Sequence, residues 1–95
     1  MELNRKPTLQ EEKLIALLVK KSSWVIPGDW KEGLMVRSMN DRMMGSLYLF
    51  PQGKTIARRK FGKQISDFQF TDVDGIEVIA SLNVNGDGDL FELDI

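Results

Sequence analysis

The chain has 95 residues, of which 42% are hydrophobic and 28% are charged, and its formal net charge is −1. This composition suits a single compact domain over residues 1–95 with a core of modest size. Cysteine and histidine are both missing from the sequence, which removes disulfides, thiolate and imidazole metal ligands, and the commonest general base. We therefore expect a protein that is not an enzyme and that has no cofactor.

The basic and acidic residues are divided along the chain. Residues 1–63 hold all 13 basic residues and six acidic ones, whereas residues 64–95 hold eight acidic residues and no basic one. In one interpretation, acidic C-terminal strands lie beside basic earlier strands and the opposite charges cancel, which is the ordinary state of a soluble domain. In the other, the acidic segment forms a surface that attracts a basic partner.

The first predicted element is a helix over about residues 8–21. Thr8 and Glu11 have the spacing of a capping box, in which each residue satisfies the backbone N–H of the other. Apolar residues then recur at the i, i+3, i+4 spacing of one helix face. The apolar run LIALLV (14–19) is too short for a signal sequence or a membrane span, so we expect a cytoplasmic protein that does not bind membranes.

From Leu34 onward the pattern changes to strand-length segments with apolar residues at alternate positions, separated by turn formers. The predicted strands are 34–39, 45–50, 55–61, 64–70, 76–84 and 90–95. Gly62 is interpreted as a break between the third and the fourth. Short connections favour pairing between successive strands. The sequence thus predicts an α+β fold in which the N-terminal helix packs on a mostly antiparallel meander of five to six strands.

The stretch NVNGDGDLFELD at Asn83–Asp94 has nearly the spacing of an EF-hand calcium loop. However, the residues IEVIASL that precede it are β-branched and alternating, so they do not form the helix that an EF-hand needs. Asn, Gly and Asp also suit a tight hairpin turn. We predict a β-hairpin. Weak cation binding by Asp87 and Asp89, alone or together with Asp72 and Asp74, remains an alternative.

The acidic C-terminal segment is the predicted functional surface, and the predicted function is contact with a protein partner that is basic. The candidate partner-binding residues are Asp72, Asp74, Glu77, Asp87, Asp89, Glu92 and Asp94. An immunity-type protein, whose carboxylates cover the basic surface of a toxin, is one concrete form of this hypothesis. Alternatively, the carboxylates of the last strand protect a sheet edge, or an unpaired last strand forms a homodimer by strand-edge pairing.

Other classes of function have less support in the sequence. The densest basic cluster is at 58–60, but alternate residues of a strand point to opposite faces, and the acidic second half would repel a polyanion; we expect no nucleic-acid binding. The second hypothesis is a small-ligand-binding or enzymatic domain with a pocket between helix and sheet. Trp24, Trp30 and Tyr48 are the candidate residues at the rim of that pocket.

Three segments of the chain resemble a known family. They are RKPTLQEEKLIALLV (5–19), MNDRMMGSLYLF (39–50) and DVDGIEVIASLNVNGDGDLFELDI (72–95). They are similar to a small family of uncharacterised bacterial proteins, a domain of unknown function, and the C-terminal LFELDI is the most specific part of the match. The resemblance implies a bacterial, cytoplasmic protein and implies no activity, cofactor or site residue.

Overall fold

The N-terminal helix forms where the capping box predicts it. The computed structural model describes residues 4–39, 45–54 and 59–95, and helix α1 spans Leu9–Lys21. The Glu11 N–H donates to the Thr8 hydroxyl (3.1 Å), and the Thr8 N–H donates to the Glu11 carboxylate (2.8 Å). In these ranges, no helix has both the length and the apolar character needed to cross a membrane.

After the segment 22–34, the strands of the described chain form one antiparallel sheet. Its strands are β1 (Met35–Ser38), β2 (Leu47–Phe50), β3 (Phe61–Thr71), β4 (Glu77–Asn85) and β5 (Leu90–Asp94), and a short 3₁₀ turn, Pro51–Gly53, follows β2. Helix α1 packs on one face of this sheet. The α+β prediction, with one helix on an antiparallel sheet, is therefore confirmed.

The order of the strands in the sheet is β1-β2-β5-β4-β3, which is not the order of a simple meander. Strands β3, β4 and β5 follow one another as predicted, but β2 pairs with β5 and not with β3. The expectation of an unpaired last strand is wrong, and so is an edge-protecting role for its carboxylates. The physical reason lies in Leu90 and Leu93, which are 3% and 1% exposed: a strand with two core leucines is most stable with neighbours on both sides.

The hydrophobic core lies between α1 and the sheet. Ile15 and Leu18 of the helix are fully buried. They belong to a cluster of buried apolar side chains from strands β1, β2, β4 and β5 and from the residue that precedes β1. The strand and loop residues of this cluster are Leu34, Val36, Leu47, Leu49, Ala80, Leu82, Leu90 and Leu93. Among the described residues, no helix lies on the opposite face of the sheet, and we call it the helix-free face.

The two edges of the sheet differ. At β1, the N-terminal segment adds an antiparallel bridge between Arg5 and Val36, with backbone N–O distances of 2.8 and 2.6 Å. Arg5 is fixed in turn by a bidentate ion pair with Glu11, at 2.7 and 3.0 Å. At the other edge lies β3, the longest strand, and no segment of the described chain pairs with its outer side.

Gly62 lies inside β3 and is not the predicted break between two strands. Part of the predicted third strand, residues 55–58, lies outside the described residues. The pairing of β3 with β4 shifts at Gly62, between the pairs Phe61–Asn85 and Lys63–Val84. A Cβ atom at Gly62 would overlap the backbone carbonyl group of Asn85, so the close approach of the two backbones requires glycine.

We predict that Gly62→Ala lowers the free energy of unfolding by about 1–3 kcal/mol, because the added methyl group must displace the backbone of β4. The measurement is urea denaturation followed by tryptophan fluorescence. Gly86→Ala is the matched control, since a Cβ atom there has open space within 4 Å. Equal unfolding midpoints for the two variants would contradict the close approach.

The ion pair with Arg5 lowers the pKa of Glu11 from its ordinary value of 4.5; burial opposes the shift, and the hydrogen bonds with Thr8 add to it. The folded-state pKa is thus below the unfolded one. The resulting stabilisation is complete at a pH above the unfolded pKa, and it is lost as the pH falls through the folded pKa.

We therefore expect Glu11→Gln to destabilise the protein at neutral pH by about 1 kcal/mol. The difference from wild type should shrink as the pH falls below about 4, where the wild-type carboxylate also becomes neutral. Chemical denaturation at a series of pH values measures this. Glu12→Gln, which removes the same charge from the same helical turn, should show a smaller change; a pH-independent Glu11→Gln effect would be evidence against the ion pair.

Candidate functional site

The Asn83–Asp94 stretch is a β-hairpin, as predicted. Its turn is closed by the Asn85 side chain, whose Oδ1 accepts from the N–H groups of Asp87 (2.9 Å) and Asp89 (3.0 Å). Gly88 has a φ of +86°, a backbone conformation that favours glycine. The Trp24 indole N–H donates to the Gly88 carbonyl (3.0 Å) and thereby ties this turn to the segment after α1.

Asn83, the first residue of the EF-hand-like pattern, lies within β4 and is only 4% exposed. Its Nδ2 donates to the Glu92 carboxylate at 2.9 Å, while its Oδ1 has no hydrogen-bond partner among the described residues. The described ranges contain no cluster of three acidic, histidine or cysteine side chains with the geometry of a metal site. The oxygens of the pattern therefore belong to a strand and a turn, and they do not converge.

The turn between β3 and β4 is also built by an aspartate. Asp72 Oδ1 accepts from the N–H groups of Asp74 (2.9 Å) and Ile76 (3.0 Å). Its own N–H donates to the Ile76 carbonyl (2.9 Å), and Gly75 has a φ of +78°. Asp72 is thus a structural turn residue, whereas the Asp74 side chain points to solvent.

Three carboxylates lie on the helix-free face of β3, β4 and β5. Asp67 and Asp94 are both directly opposite Ser81, one on each side, and residues directly opposite in a sheet project from the same face. Glu77 and Ile79 share this face because they alternate with the core residues of β4. Ile79 therefore lies among three carboxylates, and we call the set Asp67, Glu77, Ile79 and Asp94 the acidic face.

The acidic face combines exposed apolar surface with uncompensated charge. The Ile79 side chain is 57% exposed, and two apolar residues of the adjacent turn, Val73 and Ile76, are 101% and 61% exposed. Glu77 accepts a hydrogen bond from the Gln69 amide (2.9 Å). Within the described ranges, no lysine or arginine lies close enough to these carboxylates to form an ion pair. The ion pair seen in these ranges joins Arg5 to Glu11, near the start of α1.

The seven predicted partner-binding residues do not form one surface. Glu77 and Asp94 lie on the acidic face, and Asp72 and Asp74 lie in the turn at the same end of β4. Asp87 and Asp89 lie in the turn at its other end, roughly 30 Å away for a nine-residue strand. Glu92 is half-buried and is bonded to Asn83.

Sequence reasoning missed Asp67 and Ile79 as members of the acidic face. A signal for Ile79 was present: Val78 and Ile79 are consecutive apolar residues in a segment that otherwise alternates, so one of them must point away from the core. Val78 faces the helix side and Ile79 the solvent side. No comparable signal identified Asp67, because its neighbours depend on the register of β3 against β4.

The other half of the helix-free face is basic and aromatic. The Arg59 guanidinium lies 4.7 Å from the Phe50 ring centre and 4.9 Å from that of Phe91, and it donates to the Leu49 carbonyl (2.7 Å). Arg37 lies 5.3 Å from the Phe50 ring centre. Burial is the main cause that lowers the pKa of Arg59, and the positive charge of Arg37 lowers it further. The negative charges of Asp89 and Glu92 oppose this shift in pKa.

A cleft of about 310 Å³ opens beside the turn between β4 and β5. Its described lining residues are Ile26, Pro27, Asp29, Trp30, Glu32, Pro51, Gln52, Lys54, Arg59, Asn85, Gly88, Asp89 and Leu90. Of the three predicted rim residues, Trp30 lines the cleft and Trp24 contacts Gly88 beside it, but Tyr48 lies on the helix-free face beside Arg37. None of the described lining residues belongs to α1, so the cleft does not lie between helix and sheet.

Comparison with known proteins places the chain in a family without assigning it an activity. A family described as "Domain of unknown function (DUF6984)" matches residues 4–95. No curated protein and no solved structure is significantly similar to the chain. The matched range includes the helix and all five strands, and the chain belongs to the DUF6984 family.

Proposed function

We propose that the protein is a non-enzymatic interaction module whose acidic face binds a basic surface of a partner protein. The observation that supports this proposal most is the position of Ile79, which is 57% exposed among the carboxylates of Asp67, Glu77 and Asp94. The resemblance of the sequence to bacterial proteins supports a bacterial, cytoplasmic setting for this interaction.

The chemistry of the acidic face fits a protein interface. Interfaces combine an apolar centre, which loses water on binding, with a polar rim that sets orientation and specificity. Here Ile79 supplies the apolar centre and the three carboxylates supply the rim. Their common charge accelerates encounter with a basic partner and disfavours an acidic one. Val73 and Ile76 extend the apolar part of the surface around the adjacent turn.

This proposal narrows the surface that the sequence alone indicates. It uses Glu77 and Asp94 and adds Asp67 and Ile79. Asp87 and Asp89 are left out because they lie in the turn at the other end of β4, and Glu92 because it is half-buried and bonded to Asn83. Asp72 and Asp74 belong to the adjacent turn and are not part of the acidic face. An immunity-type protein that covers a basic toxin surface remains a concrete form of the proposal.

The test compares capture of a partner by wild type and by two variants. Immobilised chain is incubated with bacterial lysate at low and high salt, and a captured protein is identified, purified and titrated. We expect Ile79→Ser to weaken binding by about tenfold or more, because the apolar centre is lost. Glu77→Gln with Asp94→Asn should weaken binding by about tenfold at low salt and less at high salt.

Asp29→Asn with Glu32→Gln is the charge-matched control, since it removes two carboxylates far from the acidic face. This double variant should bind like wild type. Far-ultraviolet circular dichroism confirms that every variant is folded. Capture of no protein by wild type, or equal binding by all variants, would refute the role of the acidic face.

The cleft supports a second candidate function, the binding of a small ligand. Its volume is at the lower end of the range for small-molecule sites, and such sites combine apolar walls with a few polar groups. Trp30 and Leu90 supply apolar wall, and the Arg59 guanidinium is held at the edge by the Leu49 carbonyl. This arrangement suits a ligand with a flat ring and a hydrogen-bond acceptor.

We expect a ligand of this cleft to raise the thermal midpoint with concentration, because binding to the folded state alone stabilises it. The measurement is a thermal-shift screen of metabolites and metal ions. Trp30→Ala should abolish the shift, whereas Tyr48→Ala, which removes an aromatic ring outside the cleft, should retain it. A shift that survives Trp30→Ala would assign the ligand to another site.

A further inference from the structure

The outer side of the edge strand β3 is not covered by any segment of the described chain. None of its eleven residues is buried. The opposite edge, at β1, is covered by the bridge between Arg5 and Val36. Since an exposed edge presents unpaired backbone N–H and C=O groups, it is a template for another strand.

The second half of β3 is regular enough to accept that strand. Register shifts interrupt the pairing of β3 with β4 before Lys63 and before Ser66, and such irregularities disfavour pairing at an edge. From Ser66 to Thr71 the register is continuous. Six residues with regular pleat are about the length of an average strand.

We propose that a second copy of this chain occupies this edge, so that β3 pairs antiparallel with β3 of the other copy. The two sheets then form one sheet of ten strands with a two-fold axis perpendicular to it. Such an axis places both helices on the same side, and it requires that opposed residues share a face. The axis must therefore pass through a residue and not between two residues. The residues nearest the middle of the regular segment 66–71 are Phe68 and Gln69, so the pairing is centred on one of them.

The charges near β3 are complementary in this arrangement. Lys60 and Lys63 lie at the start of the strand, and Asp72 and Asp74 lie just after its end. An antiparallel copy brings the basic end of each strand to the acidic end of the other, twice in each dimer. A parallel copy would align like charges, which costs free energy.

Apolar contact adds to the backbone pairing. Phe68 and Phe70 lie on the helix side of β3 with ring centres 6.1 Å apart. Both are only partly buried against the core of their own chain. In the dimer they meet the same two rings of the other copy, which removes their remaining apolar surface from water.

This inference goes beyond the proposed function and does not rest on it. The perpendicular axis leaves the helix-free face of each copy open, so Glu77, Ile79 and Asp94 stay accessible. Failure of one proposal therefore leaves the other intact. Glu77→Gln with Asp94→Asn should leave the dimer unchanged, which separates the two.

The first test is the mass in solution, measured by light scattering and sedimentation at several protein and salt concentrations. We expect a mass approaching twice 10.8 kDa and a dimer that weakens as salt rises. Lys60→Glu and Asp74→Lys should each raise the dissociation constant by about tenfold. An equimolar mixture of the two variants should restore the dimer, because opposite charges meet again. A monomer at every concentration, or no recovery in the mixture, would overturn the proposal.

The second test uses the absence of cysteine from the chain to locate the contact. Under mild oxidation, Gln69→Cys alone forms a disulfide-linked dimer if the axis passes through residue 69. If the axis passes through Phe68, a mixture of Asp67→Cys and Gln69→Cys forms the mixed dimer, since residue 67 then opposes residue 69. Gln10→Cys, on the exposed side of α1, is the matched control and should not cross-link. Cross-linking no faster than this control in both cases would exclude the β3 contact.

Discussion

The row Leu47–Leu93–Leu82 holds the two halves of the sheet together. Leu93 of β5 is directly opposite Leu47 of β2 on one side and Leu82 of β4 on the other, and all three are at most 1% exposed. In the described chain, strands β1 and β2 pair with the rest of the sheet only through Leu47 and Tyr48 of β2, which lie opposite residues of β5. Each of these few contacts therefore contributes a large share of the cohesion between the halves.

The central position of β5 also determines where the charges lie. It carries Asp94 to the position beside Ser81, across from Asp67, and so completes the acidic face. It moves β3 to the edge, where the acidic turn at one end and the lysines at the other are both exposed. On the opposite half of the helix-free face, Arg59 donates to the Leu49 carbonyl at 2.7 Å and more weakly to that of Leu90 at 3.4 Å, just where the registered pairing of β2 with β5 has ended.

Local signals were sufficient for the helix, for the hairpin around Asn85 and for the strand character of the second half of the chain. They failed for strand order, because the length of the connection from β2 to β3 does not specify which strand becomes the neighbour of β2. They failed for the faces of β5 because of the bulge between its pairs with Asn83 and Val84. That bulge places Phe91 and Glu92 in succession on one side, whereas a period of two predicts opposite sides. Within the acidic face, Asp67 was not foreseeable, because its neighbours depend on the register of β3 against β4.

The position of β5 has a consequence for synthesis in the cell. The ribosome makes β5 after the other four strands, yet it lies between β2 and β4. Until it emerges, β2 and β4 each lack a neighbour, and the nascent chain presents two open strands with apolar side chains on one side. The pairing of β5 with β2 joins residues more than 40 positions apart in sequence. Loop closure over such a separation slows folding. Exposed apolar surface and unpaired strand edges favour aggregation, so the state before closure is the one at greatest risk of it.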